Sequence, residues 1–404
     1  MKPFTALLGA AAGTHAADQL ALATLPLTAT LMLGAGPDLL GLLVAAQSAA
    51  WLLVSLPAGT WVDRMPRRTL LIVGLGLGLL ASVAAVAAAA AGIVALLGVA
   101  AFAGASGTVV YVLTSVSLLP SLVRPADLSR ANARLELARA IVSLAAPFVA
   151  GLLAQLLSPT WGYALAALGA ALALACILAL PKIPPAHGGS EAQTRSFVAS
   201  IQAGARFVIH HELLRGIGLC AICWNFAFFA LLAIWAPLAL GPLGLDPAHM
   251  GLAQSAYGAG LILGALVAPL SAHRLPTFVT LIFGPVVSVV AAAFFLLGSA
   301  ANAFACAVIG HFLVGFGPML WLICQTTLRQ LVTPTALMGR VNATMQTAIY
   351  GVRPLGALAG GLVAAQAGLQ SALLLVGAAF VLSTLVIVLS PLSRLRALPE
   401  RVAA

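Results

Sequence analysis

The chain has 404 residues, of which 62% are hydrophobic and only 7% are charged, and its mean hydropathy is +1.11. A soluble domain carries about 25% charged residues, so this composition excludes a soluble enzyme and a disordered chain. A helix needs about 20 apolar residues to cross a bilayer, and the chain lacks the period-2 alternation of a membrane β-barrel. We therefore expect an all-α membrane protein that crosses the bilayer many times.

Twelve apolar stretches, each long enough to cross a membrane, follow one another along the chain. They cover approximately residues 4–33, 39–62, 69–91, 93–119, 132–158, 160–181, 215–240, 247–272, 276–299, 301–327, 341–367 and 369–392. If the N-terminus is cytoplasmic, the segments on that side carry 17 of the 19 Lys and Arg residues, and the loops on the other side carry none. This bias predicts that both termini are cytoplasmic. The net charge of +10 is thus a topology signal, and we expect no nucleic acid partner.

The second half of the chain repeats the first at an offset of about 210 residues, so that Gly41, for example, matches Gly251. Both halves then hold six spans in the same orientation, as in transporters built from two bundles with a site between them. We expect six-helix domains at residues 1–181 and 215–404, joined by a cytoplasmic linker at 182–214. The amphipathic pattern in this linker fits a helix lying on the membrane. It equally fits a simple linker whose sequence is not constrained by function.

The loop between the second and third spans has the pattern G-x-x-x-D-R-x-P-R-R. Its patterned residues are Gly59, Asp63, Arg64, Pro66, Arg67 and Arg68. The loop is similar to the signature loop of the major facilitator superfamily, in which a glycine usually replaces the proline. We expect Gly59 to permit close approach to a neighbouring helix. The resemblance implies that the loop stabilises one conformation during transport. Anchoring at the positive-inside face alone would explain the arginines, but it would not explain an acid near the end of a helix.

Within the superfamily, the chain resembles the efflux branch that includes enterobactin-type siderophore exporters and macrolide efflux pumps. The resemblance rests on residues 17–19 in the first span, on 119–133, and on 146–151 in the fifth span. The last of these is similar to the antiporter motif G-P-x-x-G-G. There, Pro147 is expected to kink the helix and Gly151 to allow tight packing between the halves. The fourth span lacks the membrane arginine that many drug:proton antiporters carry, which leaves the route of proton coupling open.

Two ionisable residues lie deep inside spans, where a charge is costly and is a functional hypothesis by default. Asp18 lies about 21 Å along the first span, and burial favours its neutral form. It could carry the coupled proton or form a permanent salt bridge. Arg353 lies at a similar depth in the eleventh span and precedes Pro354. It could bind an anionic substrate, pair with Asp18, or play a structural role beside the proline kink.

Several further residues are candidates for a site between the halves. Glu136 and Arg139, three positions apart near the start of the fifth span, predict a gating or anchoring pair. Polar or aromatic residues that could line a substrate cavity are His15, Tyr111, Trp224, Asn225 and His311. His15 matches Asn225 at the offset of 210. His311 fits either a proton relay or a hydrogen-bonded core histidine, and the aromatic residues fit packing as well as binding.

Together these features predict a secondary transporter of the bacterial inner membrane that exports a drug-like or siderophore-type molecule in exchange for protons. An uptake or facilitative carrier of the same fold is the alternative. We expect a monomer in the lipid bilayer, with no cofactor and no metal ion. A membrane-embedded lipid-modifying enzyme would need a nucleophile and a base together in the membrane. The sequence has no such pattern, so we do not expect an enzyme.

Overall fold

The computed structural model describes residues 3–124, 127–179, 197–299, 301–334 and 337–399. The regular elements in these ranges are thirteen α-helices and a 3₁₀ turn at Pro391–Arg394. The helices are α1 (Pro3–Leu31), α2 (Pro37–Arg64), α3 (Arg67–Ala91), α4 (Val94–Leu122), α5 (Leu128–Leu156), α6 (Thr160–Leu178), α7 (Phe197–His210), α8 (Glu212–Leu240), α9 (Pro247–Arg274), α10 (Thr277–Leu297), α11 (Ala303–Val332), α12 (Met338–Ala367) and α13 (Leu369–Leu389).

Each of the twelve predicted spans corresponds to one long helix, which confirms the predicted all-α membrane fold. By length and composition, eleven of the described helices could cross a membrane, namely α2–α6 and α8–α13. Helix α1 is as long as α4 but is not among them, because His15, Asp18 and Gln19 lower the hydropathy of its middle. Helix α7 lies within the predicted linker, whose residues 182–196 lie outside the described part of the chain.

The helix packing of the first half recurs in the second. Helix α1 packs against α5 and α6, α4 packs against α2 and α3, and α3 also packs against α6. In the second half α8 packs against α12 and α13, α11 packs against α9 and α10, and α10 also packs against α13. Between the halves, α2 packs against α12 and α5 packs against α9. These two contacts exchange places when every helix is replaced by its repeat partner.

The buried apolar residues are joined at one end of the molecule and divided at the other. At the end where α1 finishes and α2 begins, a single core includes Leu27 and Leu40 of the first half together with Ile234 and Met250 of the second. At the other end, which carries the arginines after α2 and α4, the two halves have separate cores. We call this the arginine-rich end. The halves therefore share one core at the opposite end and keep separate cores at the arginine-rich end.

Glycines close the contact between the halves at the opposite end. A Cβ atom added to Gly41 of α2 would lie 2.7 Å from the carbonyl oxygen of Ala357 and 2.9 Å from the Cα of Gly361, both on α12. A Cβ added to Gly151 of α5 would clash with a backbone carbonyl of α9. Gly41 and Gly361 make one contact, and Gly151 and Gly251 make the other. Because Gly41 matches Gly251 and Gly151 matches Gly361, the two contacts are related by the repeat. We call the two contacts the glycine seams.

Candidate functional site

A cavity of about 200 Å³ lies between the halves, at the middle of α1 and α12. It is lined by His15, Asp18, Gln19, Leu22, Val44, Gln47, Ser48, Trp51, Ala105, Thr108, Val112, Arg139, Phe229 and Arg353. We call it the central cavity. Of the sequence-predicted residues, it brings together His15, Asp18, Arg139 and Arg353. The first three come from the first half and Arg353 comes from the second, so both halves contribute charge to one site.

Asp18 has polar neighbours but no close cation. The side-chain amide of Gln19 donates to Asp18 Oδ2 at 3.3 Å, and the hydroxyl of Thr108 lies within hydrogen-bonding reach of the carboxylate. Arg139 acts on Asp18 only through the longer-range electric field. Among the described residues, the ion pairs within 4 Å are 124–127, 136–139 and 246–249. Asp18 is therefore not held in a direct salt bridge in this conformation, which leaves it able to bind a proton or another cation.

Arg353 is held by an amide and by two aromatic rings. Its Nε–H donates to Asn225 Oδ1 at 3.0 Å, and its guanidinium carbon lies 4.5 Å from the ring centre of Tyr350 and 5.0 Å from that of Phe229. Cation–π contacts of this kind stabilise a desolvated guanidinium. The proposed pairing with Asp18 is not formed, although both residues line the central cavity. Arg353 therefore offers a positive charge that no described carboxylate neutralises at close range.

The polar contact at Arg353 has a counterpart in the first half. His15 Nε2 and Ser143 Oγ are 2.9 Å apart, and they join α1 to α5 as Asn225 and Arg353 join α8 to α12. At the offset of 210, His15 matches Asn225, as the sequence indicated, and Ser143 matches Arg353. The repeat thus places one polar bridge in each half beside the central cavity.

A larger cavity of about 340 Å³ adjoins the central cavity on the side of the arginine-rich end. It lies between α1, α4 and α5, and His15, Thr108 and Arg139 line both cavities. Arg139 Nη1 donates to Glu136 Oε1 at 3.0 Å, so the pair predicted from their spacing is present. Tyr111 also lines the larger cavity, and its hydroxyl lies 3.5 Å from the carbonyl oxygen of Leu7.

Two predicted cavity residues belong to the packed interior of the second half. The indole N–H of Trp224 donates to Ser288 Oγ at 2.9 Å, and its ring stacks on Phe228. His311 is buried, with Nδ1 2.9 Å from the carbonyl oxygen of Ala307 and its ring packed against Trp235. Neither residue lines the central cavity or the larger cavity. Trp224 is half-buried and His311 is buried. Their role in binding cargo stays a prediction.

The loop after α2 departs in one respect from the expectation. Among the described residues, no atom of a neighbouring helix lies within 4 Å of a Cβ added to Gly59, so this glycine makes no close helix contact here. At this end the two halves have separate cores. Arg68 Nη2 donates to the carbonyl oxygen of Leu178, the last residue of α6, while Arg64 is exposed. The side chain of Asp63 lies outside what the structure describes.

The segment around Pro147 packs tightly between the halves, as its small residues predicted. A Cβ added to Gly151 would meet the carbonyl of Pro247, and one added to Gly251 would meet the carbonyl of Pro147. The backbone N–H of Phe148 donates across this contact to Ser255 Oγ at 3.1 Å.

The sequence interpretation missed several neutral residues of the site. Gln47, Thr108, Trp51 and Phe229 line the central cavity. Gln47 could have been found from the sequence. Burying an amide in the middle of an apolar span costs free energy, as burying the carboxylate of Asp18 does. Thr108 gave no comparable signal, since a threonine can satisfy its hydroxyl on its own helix, as this one does on the Gly104 carbonyl.

A polar cavity at mid-depth between two repeated helical bundles is the arrangement of a secondary membrane transporter. The solved structures agree in fold. The nucleoside transporter NupG superposes with a TM-score of 0.79 at 15% identity, covering 96% of this chain and 98% of its own. A bacterial homologue of the iron transporter ferroportin, in its inward-facing state, gives a TM-score of 0.73 at 19% identity, covering 96% and 98%.

The family follows from the sequence comparison. The family model described as "Major Facilitator Superfamily" matches residues 7–357. The enterobactin exporter EntS of Shigella boydii serotype 18 is 29% identical over 293 residues, which are 70% of this chain and 67% of the relative. EntS of Escherichia coli O81 matches with the same identity and coverage. The chain belongs to the Major Facilitator Superfamily, and it is a transporter and not an enzyme.

Proposed function

We propose that the protein exports a drug-like or siderophore-type small molecule across the bacterial inner membrane by alternating access, in exchange for protons. The observation that carries the proposal is the central cavity, where Asp18 of one half and Arg353 of the other line the same space between the bundles. The relatives named as enterobactin exporters support both the direction and the class of cargo. The transporter acts as a monomer, with its six-helix domains at residues 1–181 and 215–404 and the linker between them.

The orientation follows from charge. With the arginine-rich end in the cytoplasm, the conformation described here is open to the cytoplasm and sealed on the outer side by the glycine seams. Cargo enters past Glu136 and Arg139 into the larger cavity and reaches the central cavity beyond His15. Motion of one bundle against the other then opens the glycine seams and closes the arginine-rich end, where Gly59, Asp63 and the arginines of their loop meet the second half.

Asp18 and Arg353 have different roles in this cycle. Asp18 takes a proton when the cavity faces outward and releases it when the cavity faces the cytoplasm. When Asp18 is ionised, it adds a negative charge to the cavity in which the cargo binds. Arg353, positioned by Asn225, binds an anionic group of the cargo. The aromatic rings of Trp51, Phe229 and Tyr350 supply apolar contact beside that charge.

Transport by the purified protein in proteoliposomes tests the proposal. With enterobactin as the first cargo tried, an imposed pH gradient is expected to drive uphill movement by the wild-type protein. Asp18→Asn is expected to abolish the response to the gradient while downhill exchange persists. An Asp18→Asn variant that retains proton-driven flux would remove Asp18 from the coupling role. Cargo that equilibrates without responding to the gradient in the wild-type protein would establish a facilitative carrier instead.

A further inference from the structure

A third, much smaller cavity lies inside the first half, enclosed by α1, α2, α3, α4 and α6. Its volume is about 40 Å³, and Asp18, Gln47 and Thr108 line both this inner cavity and the central cavity. Pockets for drug-sized ligands measure about 300–1,000 Å³, so cargo cannot enter it. One water needs roughly 10–15 Å³ of such space, so the inner cavity has room for a single small ion with one or two waters.

Among the mostly apolar residues that line the inner cavity, several polar residues carry oxygen atoms with unused lone pairs. The hydroxyl of Thr14 donates to the carbonyl of Ala10 at 2.7 Å, and that of Ser82 donates to the carbonyl of Gly78 at 2.9 Å. With their hydrogens engaged on their own helices, both oxygens act toward the cavity as acceptors. Gln47 is only 7% exposed, and its Oε1 has no hydrogen-bond partner among the described residues. A buried acceptor without a partner costs about 1–3 kcal/mol, so this position calls for a ligand.

The second half shows that the fold does not require a hollow here. At the offset of 210, residues lining the inner cavity correspond to aromatic residues that pack against one another. Thr14, Asp18, Gln47, Ala85 and Ala170 match Trp224, Phe228, Tyr257, Phe295 and Phe380. The Trp224 and Phe228 rings stack with their centres 5.2 Å apart, and Phe228 lies 5.4 Å from Tyr257. An unfilled cavity with a buried carboxylate costs stability relative to such packing, which argues that the first half keeps it for an occupant.

From its size, charge and ligand atoms, we infer that the inner cavity binds one Na⁺ ion. Asp18 supplies the single negative charge, and Gln47, Thr14 and Ser82 supply neutral oxygens. One carboxylate balances a monovalent ion, whereas Mg²⁺ and Ca²⁺ sites use more oxygen charge or more water. No group of three His, Cys, Asp or Glu side chains that could hold a metal ion occurs among the described residues. The ion would neutralise Asp18 at the wall of the cargo cavity. The inference thus deepens the coupling role proposed for that residue.

Binding of ²²Na⁺ to the purified full-length protein in detergent tests the site, with choline chloride keeping the ionic strength constant. We expect saturable binding of one ion per chain, displaced by NaCl and not by choline. Asp18→Asn is expected to abolish it, and Gln47→Leu is expected to weaken it about tenfold. If no saturable binding is found, the cavity holds water only and the inference fails. Displacement by KCl as effective as by NaCl would equally overturn the assignment to Na⁺.

A matched pair of variants separates loss of a ligand from general damage. Ser82→Ala removes a hydroxyl from the inner cavity, and Ser48→Ala removes one that lines only the central cavity and donates to the carbonyl of Ala45 at 3.1 Å. Alanine stands at the position matching Ser82 in the second half, Ala292, so the fold accepts it. We expect Ser82→Ala to weaken Na⁺ binding several-fold and Ser48→Ala to leave it unchanged. Equal effects of the two variants would contradict the site.

The outcome is independent of the transport assay. Proton-driven export by a protein that binds no Na⁺ would overturn the inner site alone. Saturable, Asp18-dependent Na⁺ binding by a protein that moves no cargo would overturn the proposed function and leave the site standing.

Discussion

The two halves share their helix packing but have different interiors. In both, paired glycines bring neighbouring helices together: a Cβ on Gly74 would lie 2.9 Å from the carbonyl of Gly107, and one on Gly284 would lie 3.0 Å from the carbonyl of Gly317. These helix contacts recur at the offset of 210. The space that they enclose is hollow and carries an acid in the first half, whereas it is filled with aromatic rings in the second. The backbone arrangement therefore depends on small residues at the crossings, and the interior is free to diverge.

This divergence suggests a division of labour between the halves. The first half supplies an ionisable side chain with two cavities around it, which suits the binding of a coupling ion. The second half supplies one cation, Arg353, which lies over the rings of Tyr350 and Phe229. Beside it lies a set of packed aromatic rings that we call the aromatic block, namely Trp224, Phe228, Trp235, Tyr257, Phe295 and Phe380.

The aromatic block of the second half should dominate its stability. Phe295 is 2% exposed and packs against Trp235 and His311. Truncating Phe295 to alanine is expected to cost about 3–5 kcal/mol, as for other fully buried aromatic residues. The free energy of unfolding in mixed micelles measures it, with Leu297→Ala, a residue 70% exposed on the same helix, as the control. A cost below about 1 kcal/mol would show that the block is loosely packed.

The glycine seams should be equivalent between the halves. Gly151→Ala and Gly361→Ala each add a methyl group where there is no room, which should destabilise the closed seam by about 1–3 kcal/mol. We expect both to shift the population toward opening at that end. Spin labels attached in place of Asp38 and Asp246 would report this opening as a longer label-to-label distance, measured by double electron–electron resonance. Gly76→Ala is the control, since no neighbouring helix atom lies within 4 Å there. If only one of the two variants shifts the population, the two glycine seams are not equivalent.

Arg353 should determine cargo affinity without affecting coupling. Replacing it by glutamine removes the charge and is expected to raise KM for an anionic cargo about 10–100-fold. Arg353→Lys should not restore it, because lysine lacks the Nε–H that donates to Asn225 and the planar group that lies over the rings. The exposed Arg130→Gln serves as the control. If KM is unchanged while the response to the ion gradient is lost, the roles assigned to the two halves are reversed.

Removing the helix cap at Asp246 should have the smallest effect on stability. Its carboxylate accepts the backbone N–H of His249 at 2.8 Å, whereas the matching cap of α2 is Gly36, which has no side chain to do so. Burial alone raises the pKa of Asp246, but the hydrogen bonds from His249 and Ala248 outweigh it and place the pKa below its usual value. The cap therefore stabilises the folded protein fully at pH values above the pKa that this carboxyl has in the unfolded chain. The stabilisation is lost as the pH falls through the lower pKa of the folded protein.

Asp246→Ala is expected to lower the thermal midpoint by about 1–2 °C at neutral pH. The difference from wild type should shrink in strongly acidic buffer. A difference that grows on acidification would contradict the assigned direction of the pKa shift.

Much of the fold follows from the sequence because spans depend on composition and length. Every predicted stretch became a helix, and the offset of 210 anticipated which helices would pack in the same way. Helix ends moved by a few residues; α11, for example, continues to Val332, whereas its predicted apolar stretch ends at residue 327. The similarity to the antiporter motif also anticipated that Gly151 lies at the contact between the halves.

The site was less predictable because depth along a helix does not tell which face is turned inward. Asp18 and Arg353 were found, since a charge at that depth must face a polar space. Trp224 and His311 lie at similar depths but point into the aromatic block, and only the packing of several helices together decides this. Hydrophobicity gives little help, because spans such as α13 are apolar on all faces.

The glycine seams have a consequence for the response of the transporter to salt. They consist of uncharged backbone surfaces in van der Waals contact, so ionic strength has little influence on them. The arginine-rich end carries Arg64, Arg67 and Arg68 in the first half and Arg274, Arg329 and Arg340 in the second. Closing this end brings like charges together, and their repulsion is screened beyond about 8 Å at physiological ionic strength. Raising the salt concentration should therefore ease closure of the arginine-rich end and leave the glycine seams unchanged. Ionic strength becomes a control on the resting conformation, and dilute salt favours the conformation described here.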